Sequence, residues 1–274
     1  MTNTLSVDVL AHMAQGKCFL NLANEVVFIT GAGSGIGLAM ARAFAANGAR
    51  LALLDINGPR LELARDELLS SFPQMALEIY IAPVNDERAV QVAVAAAEAA
   101  FGRIDILLNN AGISMNQPTL ELSGADWRKA IDINLNGVFY CAQAAARGMV
   151  ERRRGIILNT SSMYGVVAAP ERAAYCTSKA AVAMLTKVMA VEWGKLGIRV
   201  NAIAPGYIKT DLVDELVAAG RMDTDALIRR TPVGRLGEPQ EIASLALFLA
   251  SEHASFINGH VIVADGGWSA YSYI

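Results

Sequence analysis

Val26-Val27-Phe28-Ile29-Thr30 runs directly into Gly31-Ala32-Gly33-Ser34-Gly35-Ile36-Gly37, and Leu38 to Ala46 continues with helical periodicity. An apolar run, a glycine-rich turn and a helix in that order predict a strand feeding a helix N-terminus. Free backbone N–H groups and the dipole at such a terminus stabilise negative charge, and glycines let a diphosphate approach the backbone. The spacing Gly31, Gly35, Gly37 departs from the G-x-G-x-x-G template, since Ile36 and Leu38 fall where its last glycine belongs. No Gly-Lys-Ser/Thr follows, which excludes a P-loop. Taken alone, the turn is also compatible with an ordinary strand-to-helix connection.

The same alternation continues outward from this stretch. Runs rich in Val, Ile and Leu predict strands near Val26 to Thr30, Arg50 to Asp55, Leu77 to Ala82, Ile104 to Asn109, Gly155 to Ser161, Arg199 to Ala204 and His260 to Ala264. Helical segments separate them, the signature of βαβ units and a parallel sheet. The strands are nearly continuous apolar runs, as expected when helices cover both faces. Asn47-Gly48 ends the first helix with residues tolerant of left-handed backbone, and Ser123 with Asp126 forms a variant capping box before a long helix. The fold class is therefore α/β, a single doubly wound parallel sheet of about seven strands with helices on both faces. Residues 25–274 form one domain, and residues 1–24 precede it as an arm that packs or makes a subunit contact.

Asp55 closes the second strand, 18 residues after Gly37. A carboxylate there can accept hydrogen bonds from the adenosine ribose hydroxyls and repels a 2′-phosphate. With no Lys or Arg between Thr30 and Gly37, the expected cofactor is NAD over NADP. A strand-end Asp that caps a turn is the alternative.

Composition narrows the function classes. The 274 residues are 54% hydrophobic and 18% charged, which excludes a disordered chain. The longest uncharged runs, Val26 to Ala41 and Gly155 to Pro170, fall short of the ~18 residues of a spanning helix, so no membrane partner is expected. A net charge of -3 gives no support to a nucleic-acid partner. Arg152-Arg153-Arg154 is the one dense cationic run and is read as a helix end. Cys18, Cys141 and Cys176 suggest neither a disulfide framework nor a zinc site, and His12, His253 and His260 have no metal spacing, so no metal is expected. No Gly-x-Ser-x-Gly elbow is present for a serine hydrolase. Asp8, and the absence of Lys or Arg before Lys17, is the wrong order for an export signal, and a cytoplasmic protein is expected.

Tyr175 and Lys179 stand at i, i+4 in the helical segment Ala173 to Trp193, so their side chains meet on one face. Bringing a phenol from a pKa near 10 to about 7 takes roughly 4 kcal/mol of preferential phenolate stabilisation. A neighbouring ammonium and a positive nicotinamide ring can supply it.

Thr30 to Gly37, Asn109-Asn110-Ala111-Gly112, Asn134 in Asn-Leu-Asn-Gly, Ser162, Tyr175 with Lys179, and Pro205-Gly206 follow in an order and spacing that resemble the short-chain dehydrogenase/reductase family. The resemblance covers about residues 20–268 and implies a Rossmann-type sheet and an NAD-dependent oxidoreductase. It implies that Tyr175 is the general acid/base and that Ser162, rather than the adjacent Ser161, bonds the substrate oxygen. Lys179 would bind the nicotinamide ribose and lower the Tyr175 pKa, while Asn134 would hold a water that links Lys179 to solvent. Gly31, Ser34, Gly35, Ile36, Gly37, Asp55, Ile56 and Val84 would bind the adenosine diphosphate half of the cofactor. Asn110, Ala111 and Gly112 would line the path towards the nicotinamide, and Pro205, Gly206, Ile208 and Thr210 would contact its carboxamide end.

One departure from the family is Pro83, where an Asp often bonds the adenine amino group; adenine recognition here must rest on backbone or Asn85. Asp211 to Arg230 is expected to form one or two helices covering the substrate cleft. Met163, Tyr164, Val166, Gly206 and Tyr207 would shape the pocket with it, and Ser162, Met163, Tyr175 and Gly206 would touch the substrate. Their mixture of hydroxyl and apolar groups suits a small sugar or polyol, a secondary alcohol interconverted with a ketone or with an aldehyde or lactol. A 3-oxoacyl thioester reductase and a non-catalytic NAD sensor are the alternatives. The resemblance further implies a homotetramer with the helices beginning near Asp126 and Ala173 at subunit contacts. The aromatic tail Trp268 to Ile274 is expected at a subunit boundary too, because free rings would leave an apolar patch in water.

Overall fold

A computed structural model describes residues 22–210, 213, 217 and 223–272. The strands are β1 (Val26–Thr30), β2 (Arg50–Asp55), β3 (Leu77–Ile81), β4 (Ile106–Asn109), β5 (Gly155–Thr160), β6 (Ile198–Pro205) and β7 (Val261–Ala264). All pair in parallel in the order β3-β2-β1-β4-β5-β6-β7. This is the seven-stranded, doubly wound Rossmann-type sheet that the apolar runs predict. The largest boundary difference is at β4, which begins at Ile106. Asp105 still bonds both neighbouring strands through its backbone, its N–H donating to Val26 O at 2.9 Å and its C=O accepting the Ile156 N–H at 3.0 Å. Its buried carboxylate adds the Val26 N–H at 2.9 Å and an ion pair with Arg103 at 2.8 Å.

The main helices are α1 (Gly35–Ala46), α2 (Gly58–Ser71), α3 (Glu87–Phe101), α4 (Gly124–Ile131), α5 (Gly137–Arg152), α6 (Ala173–Trp193), α7 (Thr224–Arg230) and α8 (Pro239–Ala250). Successive strand residues supply opposite faces of the sheet, as a pleat requires. Val27, Ile29, Leu51 and Leu53 pack with α1 and α8, while Phe28, Ala52, Leu54 and Leu107 pack with α3, α5 and α6. Every residue of β1 is buried, which explains why no polar alternation marks it. The edge strands β3 and β7 are only half covered.

The long helix expected from Asp126 to the arginine run is divided. Between α4 and α5 lies a π-helical segment, Asp132–Asn136, in which the chain carries an additional residue per turn. At the far end Arg152 closes α5, and Arg153 takes a left-handed conformation with φ 52°. The three guanidiniums are committed locally, Arg152 to Ile104 O, Arg153 to Lys195 O and Arg154 to Glu25 Oε1, each at 2.6 Å. All three are exposed, and among these bonds only that of Arg154 is to a carboxylate.

Residues 1–21, most of the proposed arm, lie outside the described residues, as do most of Asp211 to Met222 and the last two residues of the aromatic tail. Among the described residues, no helix is long and apolar enough to cross a membrane, and no cluster of His, Cys, Asp or Glu is arranged to hold a metal.

Candidate active site

The strand order reverses between β1 and β4, and a crevice opens there at the C-terminal ends of the strands, the place where open α/β sheets bind ligands. A cleft of about 500 Å³ runs from Asp55, Ile56 and Asn85 at one end to Ser162, Tyr164, Arg172 and Tyr175 at the other. All the site and pocket residues named from the sequence line it except Gly37, Asn134 and Val166, the last an exposed side chain outside the cleft. Val213 also lines it, from the segment expected to cover the substrate.

At the first end, the glycine turn forms a cradle that side chains would fill. Gly31 has φ +65°, and a Cβ on it would stand 2.8 Å from Ala111 Cα. Gly37 lies behind the turn, where a Cβ would meet Gly31 O at 2.0 Å, so its absence of side chain lets α1 press against β1. Ser34 precedes α1 in extended conformation and makes no side-chain cap, leaving the helix N-terminus to an outside acceptor. Asp55 binds the Gly33 N–H through Oδ2 and the Asn57 N–H through Oδ1, both at 2.9 Å. Each oxygen keeps a lone pair for a ribose hydroxyl. The donor-rich turn, the uncapped helix and this carboxylate together fit an adenine dinucleotide. Arg60, in the first turn of α2, lines the same end. The glycine turn itself carries no cation; Arg60 arrives from the helix after β2.

Asn110 is turned inward. Its Nδ2 donates to Thr30 O at 3.2 Å and Gly31 O at 3.1 Å, while Thr30 Oγ1 accepts the Asn110 and Ala111 N–H groups. The Asn-Ala-Gly stretch after β4 is thereby locked to the glycine turn after β1. Ala82, Pro83, Val84 and Asn85 together line the adenosine end.

At the inner end, α6 projects Tyr175 and Lys179 into the cleft one turn apart, with Lys179 Nζ 5.9 Å from the centre of the Tyr175 ring. Lys179 is buried and donates to Thr160 O at 2.8 Å; loss of solvent pushes its pKa down to about 8. Burial pushes the Tyr175 phenol up, opposed first by a hydrogen bond with Ser162 and then by the positive charge of Arg172. Ser161, the neighbouring candidate, also lines the cleft but commits its hydroxyl proton to Lys179 O at 2.8 Å. Ser162 also accepts the Tyr164 N–H, opening a short 3-10 turn over Met163–Gly165.

Asn134 sits fully buried in the π-helical segment. Its Oδ1 accepts the Ile113 N–H at 2.8 Å, and its Nδ2 donates to Ile113 O at 3.0 Å and Ser178 Oγ at 3.1 Å. The amide therefore ties the loop after β4 to α6. Gly112 passes between, and a Cβ there would lie 3.1 Å from Asn134 Oδ1 and 3.3 Å from Lys179 Nζ.

Four residues near the substrate end make contacts that the sequence does not disclose. The hydroxyls of Tyr164 and Tyr207 bond at 2.8 Å, and Tyr207 meets Trp268 edge to face at 5.2 Å between centroids. Trp268, expected at a subunit boundary, packs within the chain, beneath Arg230. Arg172, not singled out from the sequence, stacks on Tyr164. Its position three residues before Tyr175 was the available signal. Cys141 is buried with its thiol pushed up to about 12, as befits a packing residue.

Comparisons with known proteins agree with this geometry. A family model described as "Enoyl-(Acyl carrier protein) reductase" matches residues 31–269. Galactitol 2-dehydrogenase (L-tagatose-forming) of Cereibacter sphaeroides is 43% identical, with 89% of this chain and 94% of that protein covered. Gluconate 5-dehydrogenase of Gluconobacter oxydans is 42% identical, with coverages of 90% and 95%. The solved structure of a gluconate 5-dehydrogenase from Burkholderia cenocepacia, in complex with NADP and tartrate, superposes with a TM-score of 0.85 at 40% identity, covering 92% of this chain and 97% of that one. From its crevice, its sheet order and these likenesses, the chain belongs to the short-chain dehydrogenase/reductase family of oxidoreductases.

Proposed function

We propose that the protein is an NAD-preferring dehydrogenase that interconverts a secondary alcohol and a ketone on a small sugar or polyol. The observation that carries this reading is the convergence of Ser162, Tyr175 and Lys179 at one end of a cleft whose other end carries the glycine turn and Asp55. The cofactor, when bound, accepts or returns the hydride at its nicotinamide ring.

In the oxidative direction Tyr175 takes the hydroxyl proton of the substrate, and in reduction it returns that proton to the carbonyl oxygen. Ser162 donates a hydrogen bond to the same oxygen, holding it against the phenol. Lys179, anchored by Thr160 O, presents its remaining donors to the ribose, and its positive charge favours the phenolate once the site is closed from water. Asn134 positions Lys179 through Ser178 and the Ile113 loop. Gly31, Ser34, Gly35 and Ile36 receive the diphosphate, Asp55 the adenosine ribose, and Pro205, Gly206, Ile208 and Thr210 the carboxamide end.

Asp55 supports NAD, and Arg60 at the same end limits how strongly NADP is rejected. The name of the relative solved with NADP makes cofactor preference the first quantity to measure. A substrate panel of polyols, aldoses, secondary alcohols and 3-oxoacyl thioesters tests the substrate class. Turnover of polyols or sugars supports it, and turnover restricted to thioesters favours the second reading, a 3-oxoacyl thioester reductase.

A homotetramer is part of the same proposal. Trp127 on α4, Phe139 on α5, and Met184, Val188 and Val191 on α6 are exposed apolar side chains on the helices assigned to subunit contacts. Light scattering that returns a monomer overturns it. A cytoplasmic location likewise remains our reading of the cysteine usage and charge.

A further inference from the structure

Arg172 stands where two loops meet across the substrate end of the cleft. The loop after β4 and the loop before α6 join there through the Gln117 N–H to Glu171 O bond of 2.8 Å and a parallel bridge between Gln117 and Arg172. The guanidinium lies over the Tyr164 ring, 5.2 Å from its centroid, and Nη1 donates to Asn116 Oδ1 at 2.7 Å. Asn116 Oδ1 also accepts from Ser114 Oγ at 2.9 Å. Stacking and one hydrogen bond thus fix the plane of the group, while a guanidinium carries five N–H donors.

No described carboxylate neutralises it. The described ion pairs lie elsewhere, Glu171 beside it is exposed, and Asp55, the one carboxylate among the described residues lining the cleft, is at the cofactor end. The contrast with Arg230 is informative. Arg230 stacks on Trp268 and Tyr271 and donates to both of their carbonyl oxygens, so it braces the tail. Arg172 is equally well oriented but turned to the cleft, with donors left over. A planar, preoriented fork without a counter-ion matches a carboxylate in two parallel hydrogen bonds. A single such cation, with Lys179 already committed to Thr160, suits a monoanion better than a phosphate dianion.

We propose that Arg172, oriented by Asn116 and Tyr164, binds a carboxylate of the substrate, so that the preferred substrate is a polyhydroxy or keto acid of the sugar series rather than a neutral polyol. This deepens the sugar and polyol reading above and rests on it. The hydroxyls of Ser114 and Tyr207, bonded to Asn116 and Tyr164, keep acceptor capacity for the substrate's own hydroxyls, and Tyr175 meets the reacting one.

The test compares matched pairs of equal length and configuration with NAD: gluconate against glucitol, galactonate against galactitol, threonate against threitol, with sugar phosphates as a third arm. The readout is the ratio of kcat/KM for acid over neutral partner, because an effect of Arg172 on Tyr175 acidity is common to both and cancels. Arg172→Gln should lower that ratio about 10- to 150-fold, the worth of a hydrogen bond to a charged group. The loss should fall mainly on KM, with NAD binding unchanged. Arg172→Lys should fall between, and Asn116→Ala, which frees the guanidinium without removing it, should lower the ratio several-fold. The two milder variants stand in if Arg172→Gln fails to fold. A ratio unmoved by all three, a preference for the neutral member, or a preference for phosphates overturns the inference while leaving the dehydrogenase in place. If no pair is turned over, the proposed function fails by itself. Titration of gluconate and glucitol into the NAD-loaded protein then decides: acid-selective binding lost in Arg172→Gln keeps the carboxylate site, and equal binding removes it.

Discussion

Asp55 accepts the Gly33 amide at 2.9 Å, so the carboxylate that ends β2 also clamps the glycine turn that follows β1. Charge and shape are joined in one residue here: the clamp keeps the turn in place, and the same charge opposes a 2′-phosphate. Removing the charge removes that repulsion, while Arg60 still lines the same end of the cleft. Asp55→Asn, which retains an acceptor for Gly33, should raise the ratio of kcat/KM with NADP to that with NAD by about 10- to 100-fold, the scale of relieving a like-charge contact. Steady-state rates with both cofactors check this, and an unchanged ratio rejects the role of Asp55 in selection.

Tyr175→Phe should lower kcat by about 10²- to 10⁴-fold, the span of general acid/base catalysis, while NAD affinity stays within a few-fold. Tyr164 offers no substitute. Burial and its bond to Tyr207 push its phenol above the ordinary range, so it holds its proton at any working pH. Fluorescence titration of NAD beside single-turnover rates separates chemistry from binding. Turnover near the parent level would remove Tyr175 from the reaction.

Lys179 gives a pH test with a definite sign. Burial lowers its pKa to about 8 from 10.5, so the folded chain binds this proton less tightly than the unfolded chain. Between those values unfolding takes up a proton, and the contribution of Lys179 to stability rises with pH across that window. Below about 8 both states are protonated and the buried charge exerts its full cost. Without cofactor, Lys179→Met should therefore melt no lower than the parent at pH 7, with its relative advantage shrinking towards pH 9.5. It should also be inactive. A parent protein that loses stability relative to the variant as pH rises through 8 to 9.5 contradicts the assignment.

Much of this was legible because the relevant signals are local. A β-branched run followed by Gly31 to Gly37 fixes strand, turn and helix start within a dozen positions, and Tyr175 and Lys179 face together by helical spacing alone. Ser123 caps α4 as its position predicts, accepting the Asp126 N–H at 3.0 Å, but the Asp126 carboxylate accepts the Ser123 hydroxyl at 2.8 Å in place of the backbone N–H that a full capping box would use. What was not legible depends on pairs distant in the chain. Asn134 sits in a π-helical turn because its amide satisfies both backbone groups of Ile113, 21 residues away, and no helix propensity records that bond. Arg60 joins the adenosine end because α2 packs beside the glycine turn. Arg172 reaches the substrate end because Asn116, 56 positions earlier, receives it. Single-residue chemistry nominated the cleft; tertiary contacts chose which cations stand in it.

Gly112 offers the sharpest test of how tightly the inner site is assembled. A methyl group there would press on Asn134 Oδ1 at 3.1 Å and Lys179 Nζ at 3.3 Å, both closer than ordinary packing. Neither neighbour yields freely. Asn134 is held at both ends of its amide by Ile113 and by Ser178, and Lys179 Nζ is held by Thr160 O. Lys179 has the longer and more flexible stem, so it should be the one displaced, away from the ribose it is assigned to bind. Gly112→Ala should destabilise the fold by about 1–3 kcal/mol through overpacking, and should lower kcat by about 10²-fold if Nζ moves by an ångström. Thermal melting measures the first effect, and kcat at saturating NAD measures the second. A variant that melts lower but keeps its kcat would mean that the strain is absorbed by Asn134 and the Ile113 loop. In that case Lys179 would hold its place without the open space that Gly112 leaves beside it.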